Sequence, residues 1–506
     1  MAAIAPDRTI GIVGAGAMGA GIAQVAALAG HRVRLFDRRD GAVDAAIAAM
    51  AKTFDGLVAK GKLAADKAEA TLGRIEPAES LADFDVCALA IEAIVEDVAA
   101  KRALFSELEA IVGPDCILAS NTSSLSISAL ARDLEHPGRV AGFHFFNPAP
   151  LMKLVEIVSG LGTNAATTEI LCDTARAWGK TPVKAISTPG FIVNCCARPF
   201  YGEALRLLGE RAVDAATLDA VMCEAGGFKM GPCALMDLIG HDINFAVTNA
   251  VYAATFNDPR YLPSNVQSEM VAAGRFGRKS GRGFFAYGKG AENPPISSEP
   301  EAPKPAQVTR EGEDERLEPL LARAKEAGLF VHRRPATEAG PRLLIDGTVL
   351  HLSDGRSATQ RARDTNENEL VLFDLALDYA SATRIAISVA DQATGQAAAS
   401  AAGFFQAMGM AVSLIDDAPG LVVLRTVAML VNEALDMAQH GVASPEDIDL
   451  AMTLGVNYPK GPFAWGNEIG LDLVKSVLDN LKRHYGEDRY RASPRLNRLV
   501  ARESAQ

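Results

Sequence analysis

The sequence of 506 residues is poor in positive charge, and it lacks long apolar runs. Lys and Arg number 50 against 62 Asp and Glu, and the net charge of −12 argues against a general surface for nucleic acid or anionic membranes. A local basic patch for an anionic substrate is still compatible with this balance. No apolar stretch reaches the roughly 20 residues that a membrane-spanning helix needs. The first strand pattern starts by residue 9, so we expect no signal peptide ahead of it.

Cysteine motifs are also missing. The seven cysteines show neither a CxxC pair nor metal-ligand spacing, and their number is odd. Cys195 and Cys196 are adjacent in a predicted helix, where neighbouring side chains point apart, so a bridge between them is not expected. We interpret the cysteines as small, mostly buried apolar residues in a reducing cytoplasm. Apolar residues make up 49% of the chain, and its length predicts several domains at about 100–200 residues each.

A glycine-rich turn stands between the first strand pattern and the first helix pattern. The β-branched run 9–13 leads directly into a Gly-x-Gly-x-x-Gly motif. In a Rossmann unit the first glycine makes a tight turn, the second lets the backbone approach a pyrophosphate, and the third lets helix and strand pack closely. The helix N-terminus would then bind the diphosphate with its unpaired N–H groups and its dipole. The residues that we expect to contact the cofactor here are Gly14, Gly16, Ala17, Met18 and Gly19.

An acidic residue follows the second strand pattern. The apolar run 33–36 ends at Asp37, which lies 21 residues after Gly16. At that distance a carboxylate can accept hydrogen bonds from the adenosine ribose, and it repels a 2′-phosphate, so NAD is favoured over NADP. Arg38 and Arg39 follow and weaken this preference. Because strand, helix, second strand and acid occur in the expected order, the pattern favours dinucleotide binding over a coincidental glycine turn.

Strand and helix patterns alternate over residues 1–187, and the apolar runs suit a sheet buried on both faces. Residues 188–290 show periods of three to four, which predict a helical domain. The proline-rich and charged stretch 291–315 predicts an extended linker. The predicted strands of the first domain are 9–13, 32–36, 85–91, 116–120, 139–145, 153–158 and 181–186.

The remaining residues repeat earlier ones. Between 189–242 and 419–472, at a constant offset of 230, 14 of 54 positions are identical, where chance gives about three or four. This similarity predicts an internal duplication, with a second helical domain at 416–506. Residues 316–415 contain strand-like runs but no Gly-x-Gly-x-x-Gly motif, which predicts a degenerate Rossmann-like segment without a nucleotide site. An unrelated α/β insert is the alternative for this segment.

The predicted fold class is therefore an α/β Rossmann domain followed by an all-α domain, then the degenerate Rossmann-like segment and the second all-α domain.

Four polar residues occupy apolar or strand-terminal positions. Ser123 and His144 follow or end predicted strands, Glu156 lies inside one, and Asn194 lies near the start of the helical domain. Ligands of open α/β sheets bind at the carboxyl ends of strands, so Ser123 and His144 belong on the ligand side. Oxidation of a secondary alcohol by NAD⁺ needs a base for the hydroxyl proton, and histidine titrates near neutrality. A carboxylate behind the imidazole would fix its tautomer and stabilise the imidazolium.

Simpler interpretations exist for these residues. A single histidine is more often a hydrogen-bonded structural residue, and the polar run 120–124 could be the cap of a helix over 127–134. Glu156 is harder to explain in this way, because burying an unpaired carboxylate costs several kcal/mol. On residue types alone, both interpretations of the pair His144 and Glu156 stay open.

The chain resembles the L-3-hydroxyacyl-CoA dehydrogenase family over residues 8–290, and again over 416–480. The spacing of Ser123, His144, Glu156 and Asn194 also fits that family. The matching strings are Ile91-Glu-Ala-Ile-Val-Glu-Asp97, Ser120-Asn-Thr-Ser-Ser-Leu125, Phe143-His-Phe-Phe-Asn-Pro148, Met152-Lys-Leu-Val-Glu156 and Thr188-Pro-Gly-Phe-Ile-Val-Asn194.

The resemblance implies roles for individual residues. It makes His144 the catalytic base and Glu156 its partner, with Ser123 and Asn194 in contact with the substrate. By the same resemblance, residues that contact the nicotinamide nucleotide are Glu96, Lys101 and Asn147, and a residue that reaches the CoA phosphates is Lys60. The alternative for Lys60 and Lys101 is that both are solvated helix lysines.

The second half departs from the short members of the family. It carries Leu424 where the first copy has Asn194, and it shows no counterpart of His144 or Glu156, so we expect it not to catalyse. In the short members the helical domains pair between two subunits. A tandem copy could supply that pairing within one chain, and a homodimer is possible.

The long form resembles family members of bacterial phenylacetate catabolism, which implies 3-hydroxyadipyl-CoA as the substrate, with 3-hydroxybutyryl-CoA as a shorter possibility. The expected partners are thus an acyl-CoA and NAD, with no nucleic acid and no membrane. Two rival functions are a dehydrogenase of a free hydroxy acid or sugar acid, and a non-catalytic NAD-binding protein. Fold alone does not choose among these functions.

Overall fold

A computed structural model describes residues 2–337 and 340–503. The strands are β1 (Thr9–Val13), β2 (Val33–Phe36), β3 (Ile75–Pro77), β4 (Cys87–Glu92), β5 (Ile117–Ser120), β6 (Val140–Phe145), β7 (Leu154–Ser159), β8 (Thr181–Ile186), β9 (Val308–Glu311), β10 (Val331–Arg334), β11 (Arg342–Ile345), β12 (Thr348–Leu352), β13 (Leu370–Phe373), β14 (Arg384–Val389) and β15 (Ala411–Leu414). The helices are α1 (Ala17–Leu28), α2 (Ala42–Ala59), α3 (Ala65–Leu72), α4 (Val98–Ile111), α5 (Ile127–Leu130), α6 (Ala165–Ala177), α7 (Val193–Cys196), α8 (Arg198–Gly209), α9 (Ala215–Glu224), α10 (Pro232–Ile239), α11 (His241–Ala254), α12 (Asn265–Ala272), α13 (Glu318–Glu326), α14 (Ala358–Thr365), α15 (Gly395–Gln406), α16 (Val423–Gln439), α17 (Pro445–Gly455), α18 (Pro462–Ile469), α19 (Leu471–Tyr485) and α20 (Pro494–Glu503).

The chain divides into two compact units. The first contains Met1–Cys195 and His440–Val456, and the second contains Cys196–Gln439 and Asn457–Gln506. Within residues 2–337 and 340–503, no helix has both the length and the apolar character needed to cross a bilayer.

The first unit is built on an eight-stranded sheet in the order β3-β2-β1-β4-β5-β6-β7-β8. All neighbouring strands are parallel except β6 and β7, which are antiparallel. The core strands β1 and β4 are almost wholly buried because helices cover both faces of the sheet. All seven predicted strands are confirmed to within two residues of their predicted bounds. The strand that the sequence analysis missed, β3, has only three residues and ends in a proline.

The second unit contains a seven-stranded sheet in the order β10-β9-β11-β12-β13-β14-β15. Three of its strands, β13 to β15, begin 230 residues after β6 to β8. The register agrees as well, since Phe373 pairs with Ile387 as Phe143 pairs with Ile157. The sheet thus retains the second half of a Rossmann fold, and the prediction of a degenerate Rossmann-like segment is confirmed. Residues 308–311, which the sequence placed in the linker, form β9, so the sheet begins before residue 316.

Two helices are exchanged between the copies of the helical domain. Helix α17 belongs by sequence to the second copy, but it lies in the first unit, where the Ile186 amide donates to the Val442 carbonyl at 2.9 Å. At the same offset, α9 of the first copy lies in the second unit, where the Asp416 amide donates to the Ala212 carbonyl at 2.9 Å. Residues 440–456 therefore separate from the second helical domain that was predicted at 416–506.

The helical part of the second unit contains reciprocal ion pairs between the two copies. Glu203 on α8 is fully buried and pairs with Arg425 and Arg489, each at 2.9 Å. On the other copy, Glu433 of α16 pairs with Arg260 at 3.5 Å. Each glutamate of one copy therefore binds arginine of the other, which is the pattern of a two-fold interface formed within one chain.

Candidate active site

The glycine turn between β1 and α1 has the geometry that a dinucleotide needs. Gly14 has φ of 103°, and a Cβ there would lie 2.6 Å from the Ala93 carbonyl oxygen. A Cβ on Gly19 would lie 1.8 Å from the Gly14 carbonyl oxygen, so only glycine lets α1 approach the strand. Gly16 faces open space, and as the N-cap of α1 it provides no side-chain hydrogen bond. The N–H groups of the first turn are therefore available to an anion.

Asp37 lies beside this turn, at the end of β2. Its Oδ2 accepts the Ala15 amide at 2.8 Å, and its Oδ1 accepts the Nε of Arg39 at 3.1 Å. The hydrogen bond from the Arg39 side chain, with smaller help from the Ala15 amide, lowers the pKa of Asp37 to about 2 against the effect of burial. Gly14, Gly16 and Asp37 line one cavity of about 350 Å³. An ionised carboxylate, a cavity and a bare helix N-terminus together fit the adenosine diphosphate part of NAD.

His144 and Glu156 form a buried pair on the antiparallel strands β6 and β7. They lie directly opposite each other in the ladder, and His144 Nδ1 is 2.6 Å from Glu156 Oε2. Glu156 has no exposed surface, and His144 is 5% exposed. A carboxylate at Nδ1 holds the proton there, which leaves Nε2 with a lone pair. In the part of the chain that the structure describes, Nε2 of His144 contacts no hydrogen-bond partner, so this nitrogen can serve as a base.

The other oxygen of Glu156 binds the start of α7. Oε1 accepts the Ile192 amide at 3.1 Å and the Val193 amide at 3.0 Å. The chain reaches these amides through a turn in which Phe191 has φ of 48°, a conformation that costs a non-glycine residue about 1 kcal/mol or more. The Phe191 ring lies 5.8 Å from the imidazole and the Phe146 ring lies 4.6 Å from it. Glu156 is therefore fixed from two sides, and the imidazole is enclosed by aromatic rings.

Ser123, on the loop that follows β5, contacts Asn194 of α7. The Asn194 side chain donates to the Ser123 carbonyl at 3.5 Å. Glu96 holds this loop, because its Oε1 accepts the Thr122 hydroxyl at 2.6 Å and the Ser123 amide at 3.0 Å. Burial acts to raise the pKa of Glu96, but the Thr122 hydroxyl, the charge of Lys101 and the other donors lower it overall. The polar run 120–124 is not the cap of α5, since that helix covers only Ile127–Leu130 and is capped by Ser126.

Lys101 is buried rather than solvated. It is 1% exposed, and its Nζ lies 2.7 Å from Glu92 Oε2 and 3.3 Å from Glu96 Oε2. The alternative of a solvated helix lysine is therefore wrong for this residue. Glu92, which the sequence analysis missed, also binds the Ile94 amide at 3.1 Å. It is a carboxylate inside the apolar strand 87–92, which is the same feature that pointed to Glu156.

The two other predicted site residues lie on the surface. Asn147 is exposed in the loop between β6 and β7, next to the His144 strand. Lys60 is the exposed C-cap residue of α2, and it does not line the 350 Å³ cavity. The structure thus brings together Ser123, His144, Glu156 and Asn194, and among the described residues no hydrogen bond or ion pair joins Lys60 to them.

The second copy has lost this set. At the offset of 230, Asp374 occupies the position of His144, Ala386 that of Glu156 and Leu424 that of Asn194. Asp374 Oδ2 accepts the Val422 amide at 2.9 Å and the Val423 amide at 2.7 Å. These amides correspond to the two that bind Glu156. The second copy keeps an acidic anchor for the helix start but has no base.

Three family models match different parts of the chain. The model of the 3-hydroxyacyl-CoA dehydrogenase NAD binding domain matches residues 9–188, and that of the C-terminal domain matches residues 190–287 and 420–506. The model of the 3-hydroxybutyryl-CoA dehydrogenase reduced Rossmann-fold domain matches residues 350–419. The cofactor is therefore NAD, and the second sheet is a reduced copy of the first domain.

Similar proteins extend this match to the whole chain. The 3-hydroxyadipyl-CoA dehydrogenase of Escherichia coli K12 is 42% identical over 98% of both chains. A probable 3-hydroxybutyryl-CoA dehydrogenase of Deinococcus radiodurans is 42% identical over 55% of this chain and 99% of its own. The crystal structure of a 3-hydroxybutyryl-CoA dehydrogenase from Escherichia coli K12 superposes with a TM-score of 0.89 and 40% identity over 99% of each chain. The chain belongs to the 3-hydroxyacyl-CoA dehydrogenase family.

Proposed function

We propose that the first unit oxidises an L-3-hydroxyacyl-CoA to the 3-oxoacyl-CoA, with His144 as the general base. The observation that carries this proposal is the buried pair of His144 and Glu156, 2.6 Å apart, with Nε2 of the histidine directed away from the carboxylate. NAD⁺ held at the glycine turn and Asp37 would supply the acceptor for the hydride that leaves the substrate carbon. Nε2 of His144 takes the hydroxyl proton, and the Glu156 carboxylate stabilises the imidazolium that results.

Ser123 and Asn194 would hold the substrate oxygen. The Asn194 side chain binds the Ser123 carbonyl. Glu96 accepts the Ser123 amide, and Glu156 accepts the amide of Val193, next to Asn194. Glu96 and Asn147 would contact the nicotinamide nucleotide. Lys101 is so enclosed that it would act by fixing the carboxylate of Glu96 rather than by touching the nucleotide itself.

For the substrate we propose 3-hydroxyadipyl-CoA. The supporting observation is that the relative with that name matches both halves of the chain, including the reduced Rossmann segment. The shorter 3-hydroxybutyryl-CoA is the competing substrate, because proteins with that name match the catalytic half and one solved structure with that name matches the whole chain. Lys60 would contact the CoA phosphates, and a Lys60→Ala variant should then raise KM for the acyl-CoA without changing kcat.

The experiment is a panel of 3-hydroxyacyl-CoAs with and without an ω-carboxylate, assayed by the absorbance of NADH. We expect the highest kcat/KM for the adipyl substrate, and a fall in kcat of about 10²–10⁴ for His144→Ala with NADH binding retained. Near-normal turnover of that variant would remove His144 from the mechanism. Oxidation of the free hydroxy acid, without CoA, would favour the rival dehydrogenase instead. Absence of any NADH production with every substrate would favour a non-catalytic NAD-binding protein.

We also propose that the protein works in the cytoplasm and that any homodimer uses a surface other than the paired helical domains. Six of the seven cysteines are buried, which suits their use as small apolar residues in a reducing compartment. The reciprocal pairs of Glu203 and Glu433 occupy the surface through which two copies of the helical domain would pair. Light scattering on Glu203→Ala should then show the same molar mass as the native protein, because these pairs do not join separate chains.

A further inference from the structure

Lys180 is a buried cation that binds only backbone carbonyls. It lies between α6 and β8, and the residue is 8% exposed. Its Nζ donates to the carbonyl oxygens of Ala149 at 2.6 Å, Met152 at 2.8 Å and Pro150 at 3.4 Å. Among the residues that the structure describes, no carboxylate pairs with it, and burial lowers its pKa. Burying an ammonium group without an acidic partner costs free energy, so the presence of Lys180 at this position needs an explanation.

The three carbonyls belong to the loop that joins the two strands of the catalytic pair. This loop, residues 146–153, follows the strand of His144 and precedes the strand of Glu156. It carries Asn147, and its other side contacts the dinucleotide-binding helix. A Cβ built on Gly21 of α1 would lie 3.1 Å from the Pro150 side chain and 3.2 Å from that of Ala149. The loop is thus held between α1 on one side and Lys180 on the other.

The second copy of the fold binds the same loop with a different cation. Methionine, at position 410, replaces the lysine there. The guanidinium of Arg323, on α13, donates instead to the carbonyl oxygens of Tyr379 at 2.8 Å and Ala382 at 2.6 Å. At the offset of 230, these two carbonyls correspond to those of Ala149 and Met152. A cation on this pair of carbonyls is therefore a recurrent requirement of the loop, and the donor has changed element between the copies.

We propose that Lys180 is a positioning residue for the dehydrogenase reaction, which sets the loop that carries Asn147 and connects His144 to Glu156. The inference rests on the proposed function. Because Lys180 binds three carbonyls of the loop, it fixes the position of Asn147 and the relative position of the ends of β6 and β7. Without that bond the sheet is still held by its ladders and by α1, so the loop loosens while the domain remains folded. We therefore expect the substitution of Lys180 to lower the reaction rate more than the stability of the domain.

The test compares Lys180→Met and Lys180→Gln with the native enzyme, using 3-hydroxybutyryl-CoA and NAD⁺ as probes. Methionine removes every donor at nearly constant length, and glutamine keeps an N–H donor without the charge. We expect kcat/KM for NAD⁺ to fall about 10–100-fold in Lys180→Met, as for a modest misplacement of a reacting group, and less in Lys180→Gln. Hydrogen exchange of a peptide covering residues 147–154 should accelerate, because the Leu151 and Met152 amides both donate to the Pro148 carbonyl at 3.0 Å.

The matched control is Lys184→Met, the same substitution four residues later on β8, where the side chain is about half exposed and pairs with Glu169. It should leave kcat, KM and exchange of the loop unchanged. Lys180→Arg is the conservative variant, and it should recover part of the activity, since a guanidinium serves the equivalent carbonyls in the second copy.

The proposal fails if Lys180→Met and Lys180→Gln keep native kinetic constants, or if they lose activity only in proportion to unfolded protein while loop exchange in the folded fraction is native. If Lys180→Met does not fold, the glutamine and arginine variants decide by the same two criteria. Failure of the proposed function is a different result, because the native enzyme would then produce no NADH from any 3-hydroxyacyl-CoA.

Discussion

Replacing Glu156 by glutamine tests how the carboxylate controls the histidine. Glutamine keeps an oxygen that can still accept the Ile192 and Val193 amides, now 3.1 and 3.0 Å from the carboxylate. Its NH₂ group then points at Nδ1 of His144, which must become an acceptor. The ring proton therefore moves to Nε2, and the nitrogen that should take the substrate proton no longer has a free lone pair.

The expected magnitude follows from that change of tautomer and from the lost charge. In a hydrolase triad the equivalent acid-to-amide substitution lowers kcat about 10⁴-fold with the geometry intact. Because Glu156 is fully buried and 2.6 Å from the imidazole, we expect Glu156→Gln to lower kcat by about 10³–10⁴. NADH binding should change little, since Glu156 is not among the residues that line the 350 Å³ nucleotide cavity.

The assay is NADH production from 3-hydroxybutyryl-CoA at saturating NAD⁺, with NADH binding followed by fluorescence. The control is Glu169→Gln, on α6 in the same unit, where the carboxylate is about two-fifths exposed and pairs with Lys184. It should retain native kcat. The reasoning is refuted if Glu156→Gln keeps more than about a tenth of the native kcat, because a general base is worth more than that.

Three further predictions concern the cofactor and the second unit. Asp37→Ala should weaken NAD⁺ binding about 10-fold and reduce the discrimination against NADP⁺, because a charge-assisted hydrogen bond to the ribose and a charge that repels phosphate are both lost; unchanged titrations with both cofactors would contradict this. Glu203→Ala should lower the free energy of unfolding in urea by about 3–5 kcal/mol, because it leaves two buried arginines without an acidic partner. The control is Glu210→Ala at the end of the same helix, where the pair with Arg206 is partly exposed and its loss should cost below about 1 kcal/mol. Burial raises the pKa of Asp374 to about 6 against four backbone donors, so the folded state binds more protons than the unfolded state between about pH 4 and pH 6. As the pH rises from about 4 to about 6, the free energy of unfolding of the native protein should therefore fall by up to about 3 kcal/mol relative to that of Asp374→Asn. Plots of the free energy of unfolding against pH that run parallel for the two proteins would contradict the assignment.

The sequence was sufficient for the strands of the first unit because each is an apolar run between helix patterns. It was not sufficient for β3, whose three residues are too few to form a period. It could not predict the exchange of α9 and α17 either. The offset of 230 shows which helices are equivalent, but both copies carry buried apolar residues at the equivalent positions 218, 221 and 222 and 448, 451 and 452, so the pattern does not say which sheet each one covers.

The prediction of the site succeeded where a charge lies in an apolar strand and failed where the partners are backbone atoms. Glu156 stood out because a buried carboxylate needs a partner, and the structure places His144 there. Glu92 has the same setting and could have been found by the same argument, with Lys101 as its partner nine residues later. Lys180 gives no such pattern, because its three acceptors are carbonyls of a loop and backbone acceptors leave no trace in the residue types.

The second copy separates the two tasks that Glu156 performs in the first. One task is to bind the amides at the start of the helical domain, and the other is to hold the histidine. In the second copy Ala386 replaces the glutamate, and the amides bind Asp374, which comes from the strand position of His144. The other oxygen of Asp374 accepts the Leu375 amide at 2.8 Å and the Leu424 amide at 3.0 Å, so both oxygens are occupied by backbone donors. The anchor of the helix start has therefore been kept while the histidine was lost, and the carboxylate that stands at its position is held by backbone amides rather than directed at a substrate.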